Sequence, residues 1–307
     1  MRMKSLRINC VRTVLALVAV CLLSASVMAH PGSGIAVDRL GQVYFLDTGS
    51  GLWKIDDHGR LTHLSRTLFH WLALDANDSF ANGRLPSSAG SGLDWEILKA
   101  GVNPTLLIAS DFPIAIGRDG ILYYPSGRPG NLRLIRAMPS GDTSVLATLP
   151  TTIKGESLPH INGITAGPDG SVYYTEDSAI KRITPQGRIG TAATVRAPAG
   201  APSIPGTDQH PYLRGLAVDG RGVMYVADTG DAQVLKITPQ GKVTTLLQTQ
   251  SPWSPTAVAL FGDNVYVLEF LHTERDVRRD WMPRVRKIAS DGKSTIIATV
   301  DQMPGAR

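Results

Sequence analysis

An internal repeat constrains this chain more than any other feature: six related units fill residues 34–300. The clearest pair is INGITAGPDGSVYYTEDSAIKRITPQGRI (161–189) and LRGLAVDGRGVMYVADTGDAQVLKITPQGKV (213–243). Each reads as an apolar strand, a Gly/Asp turn, a Tyr/Val strand, a polar loop, a third strand, a Gly turn and a fourth strand. Units at 34–64, 113–149 and 257–300 repeat the pattern, and a worn copy occupies 71–108. Asp, Asn and Gly recur where tight hairpins need positive φ or a side-chain cap. Val, Ile, Leu, Tyr and Thr fill the strands, as a pleated, half-buried surface requires. First strands start near Ile35, Leu72, Ile114, Ile164, Leu216 and Val258, at spacings of 37, 42, 50, 52 and 42.

Four strands in roughly 40–50 residues is the signature of a propeller blade. One blade cannot bury both faces alone, so blades stack around an axis. The fold expected is all-β: a six-bladed β-propeller of four-stranded antiparallel blades in one domain, residues 30–307. A β-solenoid has shorter rungs. Two three-repeat domains would need a linker, and the Pro/Gly-rich stretch 197–211 falls between two near-identical repeats, as a blade-to-blade loop would. Thirty-one glycines and 20 prolines agree with a chain that is not mainly helical.

Residues 1–29 read as an address. Arg2, Lys4, Arg7 and Arg12 precede the apolar run VLALVAVCLL, and Val27 and Ala29 sit at the −3 and −1 positions of a small-residue cleavage site. That is a secretory signal peptide, too short for a stable membrane span after cleavage. The expected location is secreted or periplasmic. Both cysteines, Cys10 and Cys21, fall in this segment, so residues 30–307 hold no disulfide, thiolate metal site or cysteine nucleophile. The formal charge of +5 comes mostly from the same segment, leaving 27 basic against 26 acidic residues beyond it. No nucleic-acid partner is expected, and the basic run 275–287 is interrupted by acids.

The units DRLGQVYFLDTGSGLWKI and VDGRGVMYVADTGDAQVLKI resemble NHL repeats. The set of six resembles the superfamily of senescence-marker-protein/gluconolactonase-like propellers, across essentially all of 34–300. The resemblance implies a scaffold used by enzymes and binding proteins alike. It also implies metal ligands just before first strands: a Glu, an Asn and an Asp. Asn162 matches the Asn. Arg214 stands at the Asp position, and Ser33 or its neighbours at the Glu position.

Propeller topology brings the segments before first strands and after second strands to one mouth of the central channel. Four of seven histidines beyond residue 29 precede first strands: His30, His70, His160 and His210. With Asn162 they form the candidate metal set for one divalent cation, calcium or zinc, as imidazole favours zinc and oxygen favours calcium. His160, His210 and Arg214 are the candidate catalytic residues. Asp111, Glu176, Asp228 and Glu269 are the candidate ligand-binding residues at the same face. Asp47 and Asp228 also belong to the repeat pattern, where capping the following turn is their expected work. Long loops on this face, 150–160, 197–212 and 270–282, mark it as the expected seat of function, with a small molecule or a protein as partner. Two readings stay open: a ligand- or protein-binding module, and a metal-assisted hydrolase or lyase acting on a small ester or lactone.

Overall fold

The turns decide where each strand ends. In the fifth repeat the carboxylate of Asp219 accepts the backbone N–H groups of Arg221 and Val223 at 2.8 and 2.9 Å, and Gly222 holds φ at +81°. Only glycine takes that conformation without strain. The chain therefore reverses, and the Val/Tyr run that follows pairs antiparallel with the strand before it. Asp38 caps the matching turn of the first repeat through Leu40 and Gln42, both at 2.9 Å.

The computed structural model describes residues 32–82, 95–99, 104–110, 112–128, 131–150, 161–196, 211–271 and 282–301. All regular elements among them are strands. Blade 1 holds β1 (Ile35–Val37), β2 (Val43–Asp47), β3 (Gly51–Ile55) and β4 (Leu61–Ser65). Blade 2 holds β5 (Trp71–Asp75), β6 (Trp95–Lys99) and β7 (Thr105–Ala109). Blade 3 holds β8 (Ala115–Ile116), β9 (Leu122–Arg128), β10 (Asn131–Ala137) and β11 (Thr143–Thr148). Blade 4 holds β12 (Ile161–Ala166), β13 (Val172–Glu176), β14 (Ala179–Ile183) and β15 (Ile189–Thr194). Blade 5 holds β16 (Leu213–Val218), β17 (Met224–Asp228), β18 (Gln233–Ile237) and β19 (Val243–Gln248). Blade 6 holds β20 (Trp253–Phe261), β21 (Asn264–Leu271), β22 (Pro283–Ile288) and β23 (Ser294–Thr299).

Five sheets are four-stranded meanders in chain order. Blade 2 differs: it has three strands among the described residues, in the order β5-β7-β6. After β5 the chain has no Val/Ile/Tyr run to build a second strand. Asp75 instead accepts the N–H of Phe80 at 2.7 Å, and the Phe80 ring is buried beside Trp71 and Leu107. β7 then takes the place beside β5, with Trp71 opposite Ala109 and Asp75 opposite Thr105.

Inner strands form a closed ring within the compact unit Pro31–Arg307. β1 touches β5, β5 touches β8, β8 touches β12, β12 touches β16, β16 touches β20, and β20 touches β1. Among the described residues each blade closes on whole strands, with none borrowed across the termini. The core is divided among the gaps between blades. One cluster joins Leu132 and Leu134 of blade 3 to Ile164, Val172 and Tyr174 of blade 4. Another joins Tyr173 and Ile180 of blade 4 to Leu213, Leu216 and Val226 of blade 5. Stacking, rather than any single sheet, thus removes the apolar surface from water.

A second repeating device ties strands together inside the blades. Tyr44, Tyr173, Tyr225 and Tyr266 each lie under a cation directly across the strand pair: Lys54, Arg182, Lys236 and Lys287, at 5.6, 5.9, 5.9 and 5.8 Å. These are packing tyrosines whose rings the cations cover.

Candidate functional site

Inner strands start at one end of the ring, and three consecutive ones start with a β-bulge. Ile161 pairs with Glu176 and Gly163 with Thr175, so Asn162 is the extra residue. Leu213 pairs with Asp228 and Leu216 with Val226, so Arg214 and Gly215 face a single residue. Pro255 pairs with Glu269 and Ala257 with Leu268, so Thr256 is extra. Asn162, Arg214 and Thr256 hold the same place in the repeats, two before Ile164, Leu216 and Val258. Bulges re-aim side chains, and are common beside binding sites.

Small residues follow these positions because the strands nearly touch. A Cβ on Gly215 would lie 2.8 Å from the Cα of Ala257, and one on Gly163 would lie 2.6 Å from the Arg214 carbonyl oxygen. Hydroxyls lock blade to blade at the same level. Thr175 donates to the carbonyl of Arg214 at 2.8 Å, and Thr229 to that of Pro255 at 2.6 Å.

Asn162 is 9% exposed and Arg214 5%. Tyr212 connects their surroundings. Its hydroxyl donates to Asn162 Oδ1 at 3.3 Å, and its backbone N–H donates to Asp228 Oδ1 at 3.1 Å. The Asn162 amide nitrogen is buried with no acceptor among the described residues, as is the Ser33 hydroxyl in blade 1. Burial holds the Arg214 guanidinium below its usual range, and Tyr212 acts the other way. A guanidinium remains charged under such a shift. Tyr212 had no role in the sequence reading. Its only signal there was its place just before an inner strand, shared with His70.

The carboxylates at second-strand ends are engaged locally. Asp228 is fully buried and accepts the N–H groups of Tyr212 and Asp231 and the Gln233 amide, at 3.1, 3.3 and 3.0 Å. Burial raises it to about 6, against the pull of those donors. Asp47 closes the turn after β2 through Gly49 N–H at 3.0 Å and the Ser50 hydroxyl. Both thus cap the turns after their strands. Glu269 is fully buried and bound by Arg284 and by Arg286, the latter at 2.7 Å. Arg284 in turn stacks 3.9 Å from the Trp253 ring centre. Glu176 is raised by burial, and Lys181 at 3.9 Å offsets part of that.

His70 is half-buried, and its Nδ1 donates to the carbonyl of Ser110 at 2.8 Å. A carbonyl only accepts, so that nitrogen carries the proton. His30, His160, His210 and Asp111 lie outside the described residues. Of the candidate residues, the structure therefore sets Asn162, Arg214, Asp228 and Glu176 around the starts of β12 and β16. It places Glu269 in blade 6 and His70 in blade 2.

A gluconolactonase-type cation needs acid ligands at two positions beside that of Asn162. Arg214 and Ser33 stand where two acids are expected, and a buried guanidinium repels a dication. Among the described residues no group of three His, Cys, Asp or Glu side chains is placed to hold a metal ion. These residues do not fit such a cation.

Comparison with known proteins supports the fold. The family model of the SMP-30/Gluconolactonase/LRE-like region matches residues 128–268. No curated protein matches the chain. A solved streptogramin B lyase is 17% identical over 88% of this chain and 84% of its own, with a TM-score of 0.50. A virginiamycin B lyase from Staphylococcus aureus is 19% identical over 89% and 85%, with a TM-score of 0.50. A calcium-binding protein, regucalcin, from Agrobacterium tumefaciens is 15% identical over 77% and 81%, with a TM-score of 0.48. At these identities the two lyase structures show a likeness of fold alone.

Proposed function

We propose that this chain, whose residues 128–268 match the SMP-30/Gluconolactonase/LRE-like region, is an extracytoplasmic module that binds a small molecule or a protein segment at the end of the ring where inner strands begin. The signal-peptide pattern of residues 1–29 supports the location. One observation carries the binding reading: Asn162 and Arg214 occupy equivalent bulges on adjoining strands, both at least nine-tenths buried. The Asn162 amide nitrogen is a buried donor with no acceptor among the described residues, and such a donor is costly. The partner group that satisfies it is an acceptor: a carboxylate, or the carbonyl of an ester or lactone. Arg214 receives a carboxylate in two parallel hydrogen bonds, and Tyr212 holds Asn162 oriented for the same group.

The second reading, a metal-assisted hydrolase or lyase acting on a small ester or lactone, is favoured by the family region, which contains Asn162. It needs a divalent cation held by His160, His210 and their neighbours. Metal analysis of the purified protein separates the two. The binding reading expects no stoichiometric metal and a melting temperature indifferent to chelator. Stoichiometric calcium or zinc, lost in His160→Ala, would contradict it and establish the second reading.

A further inference from the structure

A cavity of about 660 Å³ opens at the other end of the ring, between blades 4 and 5. Its walls come from the short turns β12–β13, β14–β15, β16–β17 and β18–β19, and from the edge strand β15. The first turn of blade 5, VDGRGV, sets Gly220 in one wall. On the opposite wall Gly190 and Ala192 are small, and a Cβ on Gly190 would meet nothing within 4 Å.

The opening is basic over an apolar floor. Tyr173 and Met224 line the floor, and Arg182, Arg188 and Arg221 line the rim. Asp169, also in the lining, holds Arg182 at 2.5 Å, and Asp219 holds Arg221 at 3.1 Å. Those pairs fix two guanidinium planes in place. Arg188 has no carboxylate within ion-pair distance among the described residues. Neither has Arg118, whose guanidinium reaches from blade 3 to within 3.8 Å of the Cβ position of Gly220. The site thus carries two cations beyond its carboxylates.

We propose that this groove is a second binding site, taking a small organic anion whose carboxylate meets Arg188 and Arg221 and whose apolar body lies on Tyr173 and Met224. Concave apolar surface with a few charged groups at its edge is how small-molecule sites are built, and guanidinium matches carboxylate in geometry and charge. The site is separate from the strand-start end and stands whether or not that end binds a ligand.

Calorimetric titration of the full chain with benzoate, and with benzyl alcohol as its uncharged counterpart, tests it. Benzoate should saturate a site that persists in Arg214→Met, and benzyl alcohol should bind that site at least about tenfold more weakly, a difference one desolvated charge contact supplies. Arg188→Gln should weaken benzoate by about tenfold. Gly190→Phe, which fills the groove from an unstrained position, should abolish binding to that site without changing the melting temperature, and Arg214→Met should leave it intact. The proposal is overturned if benzoate does not saturate, if the two probes bind alike, or if binding survives Arg188→Gln and Gly190→Phe but is lost in Arg214→Met.

Discussion

Thr256 donates its hydroxyl to the carbonyl of Gly32 at 2.9 Å, and that bond joins the last blade to the chain entering the first. Thr256 is fully buried, so the bond forms without competition from water. Thr256→Val keeps the shape and removes the donor, leaving a buried carbonyl unsatisfied. We expect a loss of about 1–2 kcal/mol in urea unfolding. Thr256→Ser should recover most of it. A valine variant as stable as the parent would show that the ring does not depend on this latch.

Glu269 carries a heavier load. One carboxylate of zero exposure answers two guanidinium groups, and one of those stacks on Trp253. Glu269→Gln leaves two cations around a neutral amide. Breaking a buried pair from one side costs about 3–5 kcal/mol. Denaturant unfolding should show a loss of that order, and Arg286→Gln, on the more exposed partner, a smaller one. Equal and small losses in both would mean that the cluster is solvated.

Asp228 makes stability depend on pH with a definite sign. Its carboxyl lies near 6 in the folded chain, above its ordinary 3.8, because burial outweighs the hydrogen bonds it accepts. A raised acid stabilises the fold below the unfolded value, and that contribution is lost as pH rises through the folded one. Asp228→Asn cannot ionise. Relative to the parent, its unfolding free energy should therefore climb between pH 4 and 6 by about 3 kcal/mol and stay level above 7. Parallel pH profiles would show the carboxyl to titrate normally.

The repeat was legible because turn chemistry and strand alternation recur in the chain itself, and Asp219 and Gly222 do in the structure what their residue types demand. Blade 2 was legible only in outline. Its three strands among the described residues go with a stretch after β5 that has no Val/Ile/Tyr run, but the pairing of β7 with β5 depends on which neighbour is available in space. The bulges at Asn162, Arg214 and Thr256 are one-residue offsets, and an offset of one is invisible without a pairing partner. Tyr212 was missed for a related reason: its two partners lie 50 and 16 residues away. The groove between blades 4 and 5 was missed because loop length was the guide to function, and the turns there are short. Gly190 and Gly220 in its walls carry no side chain, and a Cβ on Gly190 would meet open space.

The most direct test concerns the strand-start end. A panel of small carboxylates, esters and lactones should be screened for thermal stabilisation of the purified chain with its blade 4–5 groove closed by Gly190→Phe, beside Asn162→Leu and Arg214→Met in the same background. The account predicts that at least one acceptor-bearing compound raises the melting temperature of the parent. It also predicts that the rise vanishes in each variant while the variants melt normally alone. A panel that stabilises nothing, or a rise that persists in both variants, would contradict it.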